Sequence, residues 1–230
     1  MAHLISRLAT SLSILLFSVS SAYANVGSIT EFRGNGTIKR GSSSVAAAQD
    51  AGIEKSDRVS TSSSGRFKLT FVDKTTVSIT ENSSLVIDDF VYDSGKPSIG
   101  KLGLRAALGT VRYTSGNLAH DNPKGVSVKT PTATIAVRGT DFVMSVDEIG
   151  RSTVVLVPEC YNDLDITKQT AECPNGAIDV VTASGIVTLN KPFQATVVEN
   201  AFVPPAPPIV INPYSVAILI HLCKSLVSPD

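Results

Sequence analysis

The sequence lacks tryptophan altogether, and only 6% of its residues are aromatic. It has no excess charge of either sign, with 20 Lys+Arg against 20 Asp+Glu, and it holds just three histidines and three cysteines. Each shortage excludes something. A chain with no basic surplus has no field to hold a nucleic-acid backbone, which argues against a nucleic-acid binder. A charged fraction of 17% beside 43% hydrophobic residues is too apolar for a disordered chain. Glycine (16) and proline (12) are near average, which excludes collagen-like and low-complexity classes. The 230 residues suit one domain, or one and a half, able to bury a core.

The first 24 residues read as an address. Arg7 is their only Lys or Arg, the run Leu8–Val19 is apolar, and Ala22-Tyr23-Ala24 forms an A-x-A site, so cleavage is expected between Ala24 and Asn25. Twelve residues as a helix would span ~18 Å, too little for a ~30 Å hydrocarbon core. The mature chain would then hold 19 basic and 20 acidic residues and lie in the periplasm or beyond, an oxidising place. The cysteines suit export. Cys160 and Cys173 flank a polar stretch between Pro158 and Pro174, and a disulfide there would contribute roughly 3 kcal/mol by closing the loop. A metal site is poorly supported, since neither a histidine nor a second cysteine pair is near. Cys223 is left over, either as a buried thiol or for pairing between chains.

Alternation of apolar and polar residues predicts short strands over Asn25–Leu189. Phe67, Leu69 and Phe71 alternate, as do Val77 and Ile79, Leu85 and Ile87, Val126 and Val128, Ile135 and Val137, Phe142, Met144 and Val146, Val154 and Leu156, Ile178 and Val180, and Val187 and Leu189. Turn residues follow at intervals, such as Gly34-Asn35-Gly36, Val72-Asp73-Lys74 and Ser184-Gly185. The pattern is that of an all-β domain, sandwich or solenoid. Ser44–Ala51 is given at most one helical turn. The division expected is a signal peptide at 1–24, a β-domain at 25–190, a Pro-rich linker at 191–213 and a short apolar helix at 214–230. The Val203–Pro208 run favours extended polyproline II.

Catalytic equipment is scarce. The mature chain has only His120, in what reads as an exposed turn, and His221. No Gly-x-Ser-x-Gly elbow or phosphate-binding glycine loop occurs. Asp88, Asp89 and Asp93 lack calcium-loop spacing and read as a solvated strand end. No cofactor or metal is called for, and no catalytic residue is assigned. Val128–Phe142 is the unusual segment. Pro131 suits a strand start, Gly139 permits a positive φ, and Arg138 stands at a corner where it could cap carbonyls or pair with an acid.

The order Thr130, Pro131, Ala133, Ile135, Val137, Arg138, Gly139, Thr140, Phe142 resembles the signature of the FecR domain. Asp57–Gly65 resembles its "D-x-v-x-T" element, and Leu102–Arg112 its "L-x-x-G-x-v-r" element. Phe67–Asp73 resembles a strand ending in Asp-Gly, with Lys74 in place of the glycine. The likeness covers residues 50–157. It implies an exported all-β module with a β-solenoid-like, wound architecture. The family's best-known members are transmembrane regulators that pass a signal from an outer-membrane siderophore transporter to a cytoplasmic sigma factor; many others are exported without that machinery. The seven residues before the apolar run cannot form an anti-sigma segment, and the mature chain is expected to carry no membrane span.

The expectation is therefore an exported, non-enzymatic binding or scaffold module, periplasmic or secreted, whose partner is another envelope protein or ligand. The alternative is a sensor-regulator of the iron-uptake type working with a separate membrane partner. Arg66, Lys68, Thr70 and Ser78 are the expected contact face, and Cys223 or the C-terminal tail offers a route to a homo-oligomer.

Overall fold

The structure, a computed structural model, describes residues 25–158, 176–216 and 218. Of these residues, 53% lie in strands and 9% are helical. The chain begins with β1 (Gly27–Arg33), β2 (Gly36–Arg40), β3 (Ser43–Ala46), β4 (Gly52–Ile53), β5 (Arg58–Thr61) and β6 (Arg66–Phe71). Then come β7 (Thr76–Ile79), β8 (Ser84–Val91), the long β9 (Lys101–Thr114) and a one-turn helix α1 (Asn117–Asp121). The second half holds β10 (Val126–Lys129), β11 (Thr134–Arg138), β12 (Asp141–Val146), β13 (Ser152–Val157), β14 (Ala177–Thr182), β15 (Gly185–Leu189), β16 (Gln194–Val198) and β17 (Ile209–Val210).

Alternation became burial. Phe67, Leu69, Phe71, Val77, Ile79, Leu85 and Ile87 are all buried, while their strand neighbours are half-exposed. The strands form one hydrogen-bonded network with two arms that share β9. One arm runs β4-β1-β6-β7-β9-β12-β13-β16-β17. The other runs β3-β2-β5-β8-β9-β10-β11-β14-β15. Residues 101–108 of β9 pair in the second arm and residues 109–114 in the first. A register shift opposite Ser84 and Leu85 and a φ of +90° at Gly109 mark the change. One core draws Ile29, Leu69 and Phe142 from the first arm and Val59, Leu104 and Ile135 from the second. Phe32 on Phe67, Phe71 on Phe90 and Tyr113 on Phe142 stack in pairs, which employs six of the few aromatic rings.

The fold is thus all-β, as the alternation predicts, in the form of a large, open, mixed sheet. The pairings do not by themselves make it a solenoid. Stacked coils pair in parallel, and among the described residues only β9–β10 does so.

Three local expectations need correction. Ser44–Ala51 does not start a helix: residues 43–46 are β3, pairing Thr37–Arg40 of β2. His120 lies in α1, not in a turn, although it is exposed. The stretch 191–213 is not a linker. Gln194–Val198 is β16, paired to β13, and Ile209–Val210 is β17, paired to β16. Between them the Ala206 N–H donates to the Val197 carbonyl (2.9 Å), and the Thr196 hydroxyl donates to the Ala206 carbonyl (2.6 Å). Prolines withhold donors and stay extended, which suits a segment laid along a sheet edge as well as it suits a spacer. This segment helps enclose a second apolar cluster of Val143, Val155, Val157, Phe193, Ala195 and Val216. Val216 belongs to a helical segment at 213–216 and is buried, whereas Tyr214 and Ile218 are exposed. The β-domain therefore extends beyond residue 190 to Val216. Among the described residues, no helix is long and apolar enough to cross a membrane.

Candidate functional site

Thr130 to Phe142 is a hairpin followed by a corner. The Thr130 hydroxyl oxygen accepts from the N–H groups of Thr132 (3.3 Å) and Ala133 (3.0 Å), and the Thr130 N–H donates to the Ala133 carbonyl (2.8 Å). Ser152 on β13 ties in by donating to Thr130 Oγ1 (2.8 Å) and lies 2.7 Å from Thr132 Oγ1. Pro131 is exposed at the tip, and Ala133, Ile135, Val137 and Phe142 enter the core. Arg138 ion-pairs with Asp179 of β14, whose other oxygen accepts from the Thr188 hydroxyl (2.7 Å). It is a corner clamp to an acid. Gly139 has φ +56°, and a Cβ there would approach His120 Nδ1 to 3.3 Å, so the corner takes glycine for two reasons. The Thr140 N–H donates to Ser115 Oγ (2.9 Å), which donates back to the Thr140 carbonyl (2.8 Å).

The upstream motif residues are fasteners as well. Asp57, wholly buried, accepts from Arg40 (2.7 and 2.8 Å) and from the Glu54 N–H (2.8 Å). The Thr61 hydroxyl donates to the Thr80 carbonyl (2.6 Å) and accepts from the Ser83 N–H (2.8 Å). Asp73, also wholly buried, accepts from the Thr75 N–H (3.1 Å), the Thr75 hydroxyl (2.7 Å) and the Leu118 N–H (3.3 Å). It thereby closes the β6–β7 turn and holds the start of α1. The next residue, Lys74, has φ +70°, which explains why glycine suits that place. Lys74→Gly is expected to stabilise the protein by about 0.5–1 kcal/mol, read as a higher urea midpoint with an unchanged m-value. A lower midpoint would refute the strain at this turn.

Arg112 of β9 reaches Asp141 of β12 (3.4 Å), joining the "G-x-v-r" element to the signature. Both are nearly buried, and burial raises the Asp141 carboxyl above its ordinary range against the pull of Arg112. Burial likewise raises the Tyr113 phenol. Among the described residues, Arg112 Nε, Tyr113 Oη and Thr140 Oγ1 are buried without a hydrogen-bond partner.

The other sequence candidates are scattered or spoken for. Asp88 and Asp89 lie inside β8, not beyond its end; Asp88 pairs with Arg105 (2.8 Å) and Asp89 with Lys55 (2.7 Å). The Lys55 hydrogen bond outweighs partial burial and holds the Asp89 carboxyl below its usual range. Asp93 accepts from the Gly95 N–H (2.9 Å). Among the described residues, no group of three His, Cys, Asp or Glu is placed to hold a metal ion. The expected contact face is engaged within the sheet: Arg66 with Glu81 (2.6 Å), Lys68 with Glu31 (2.9 Å) and Thr70 with Thr30 (2.7 Å), while Ser78 is half-buried. Asn25 is exposed beside Gly52. Ala24, Cys160, Cys173, His221 and Cys223 lie outside the described residues.

Sequence reasoning missed a surface feature. A cleft of about 890 Å³ opens on the outer face of β8–β10, lined among others by Lys55, Asp89, Lys101, Asn122, Lys124 and Ser127. It runs into a hollow of about 200 Å³ lined by Gly103, Asp88 and Lys129. The lysines of cleft and hollow come from three separate stretches of the chain, so no local motif announces it. The one local sign was Gly103 within a strand, which removes a side chain from the hollow.

Residues 57–160 match the family model described as "FecR protein". Among curated proteins, none matches the chain. Among solved structures, the chain is similar to a Parabacteroides distasonis protein provisionally named an anti-sigma factor, with a TM-score of 0.51 and 15% identity. The match covers 71% of this chain and 63% of that one, so the chain spans less than two thirds of the structure it resembles. At that identity the likeness speaks to the fold alone.

Proposed function

We propose that this chain, whose residues 57–160 match the FecR family model, is an exported, non-enzymatic binding module with a regulatory or signalling role, acting on another protein or ligand of the bacterial cell envelope. One observation carries the reading: the domain's distinctive polar residues, Asp57, Asp73, Arg112 and Arg138, are spent on holding strands and turns together. None is left poised beside a nucleophile or base, and what the surface offers is a cleft rather than a reacting constellation. The domain family supports the regulatory role. The chain's repeated passage between the two arms supports a wound, solenoid-like description of the domain.

Export is supported by where the expected cut falls. Cleavage after Ala24 leaves intact the first structural bond of the domain, from the Val26 N–H to the Ile53 carbonyl (2.8 Å), and all of β1. The test is N-terminal sequencing of the envelope fraction, combined with cross-linking in intact cells. A chain starting at Asn25, cross-linked reproducibly to one envelope protein, is the expected result. A chain that keeps Met1 in the membrane fraction favours the sensor-regulator instead. A cytoplasmic chain with no cross-linked partner overturns both.

A further inference from the structure

We propose that the lysine-lined cleft over β8–β10 is the docking site for an extended acidic peptide segment of a partner protein. This inference rests on the reading of the chain as a binding module, and names where and what it binds.

The argument begins with charge. The two carboxylates in the cleft are already neutralised, Asp88 by Arg105 and Asp89 by Lys55. Lys101, Lys124 and Lys129 are exposed and make no ion pair with any described residue, so the cleft carries a surplus of about three positive charges in a chain with none overall. The spacing of those charges then limits the ligand. Lys129 stands in register with Arg105, four residues along β9 from Lys101. That places the two lysines ~13 Å apart along the strand. That spacing along the strand matches carboxylates carried at intervals on one extended chain, each pairing with its own lysine. The rim favours a peptide: Val91 and Ile99 line the cleft and are 38% and 52% exposed, an apolar edge for the apolar side chains that a peptide carries between its acids. Gly103 keeps the floor open; a Cβ there meets Asp89 only at ordinary contact distance, 3.4 Å, so the position is spacious and not merely tight.

The test is fluorescence anisotropy of the purified full chain with a dye-labelled peptide of alternating Glu and Leu/Ser. The Lys101→Glu/Lys129→Glu pair is expected to weaken binding at least about tenfold, and so is raising salt from about 50 to about 300 mM. Lys39→Glu, an exposed reversal on β2 away from the cleft, is expected to change it less than about twofold. Lys124→Glu, in the turn before β10, supplies an independent variant should the double reversal not fold. Absence of saturable binding, equal loss with Lys39→Glu, or displacement of the peptide by polygalacturonate at matched charge would each overturn the proposal. A failed peptide titration beside a successful envelope cross-link rejects the cleft alone; the converse rejects the envelope reading alone.

Discussion

Replacing Gly109 by alanine is expected to lower the stability of the protein by about 2–5 kcal/mol. Two costs coincide there. The backbone has φ +90°, which an L side chain occupies only under strain of about 1–2 kcal/mol. A Cβ would also stand 2.0 Å from the Ser83 hydroxyl and 2.7 Å from the Ser83 Cα, so backbone must move, at roughly 1–3 kcal/mol. Ser83 is buried and is held by Thr61, so it has nowhere to go. Chemical denaturation is the measurement, and Gly103→Ala in the same strand is the control. At Gly103 φ is not positive and the nearest atoms lie at 3.4 Å, so a change within about 0.5 kcal/mol is expected. If the two variants behaved alike, the turn of β9 between its two arms would not depend on Gly109.

Asp73→Ala is expected to cost about 3–5 kcal/mol, because three donors lose their acceptor in a dry place. The Thr75 N–H, the Thr75 hydroxyl and the Leu118 N–H all point at this carboxylate, and both Thr75 and Leu118 are buried. Asp73→Asn keeps one acceptor oxygen and is expected to cost about half as much. The predicted order in unfolding midpoint is wild type, then Asn, then Ala. Equal midpoints for all three would mean that water replaces the carboxylate and that the turn and α1 are not joined through it. These variants also mark off architecture from recognition. A change at Gly109 or Asp73 that abolishes partner binding would report unfolding, whereas the Lys101→Glu/Lys129→Glu reversal should weaken binding with the midpoint intact.

Much of the fold was legible because strand periodicity is local. Phe67, Leu69 and Phe71 declare an inward face within six residues, and the signature from Thr130 to Phe142 carries its turn, corner and core positions in order. Arg138 could be read as a clamp to an acid, although only the pairing of β11 with β14 selects Asp179, 41 residues away. The C-terminal region was misread for a physical reason. Val143, Val155 and Val157 lie between the alternating core residues of β12 and β13, and such unbroken apolar runs mean burial on both faces. They called for a cover, and the cover is the segment whose prolines resemble a spacer.

By itself the sequence determined the strand faces, the positive φ that Gly139 permits and the match of residues 57–160 to the FecR family model, because each depends on neighbours a few residues apart. Only the tertiary structure decided that the motif acids are buried fasteners, that residues 194–216 belong to the domain, and that lysines from three separate stretches share one cleft and its adjoining hollow. Those outcomes depend on which strands become neighbours, and pairing across forty residues or more is set by burying a shared core, a property of the whole chain and not of any stretch of it.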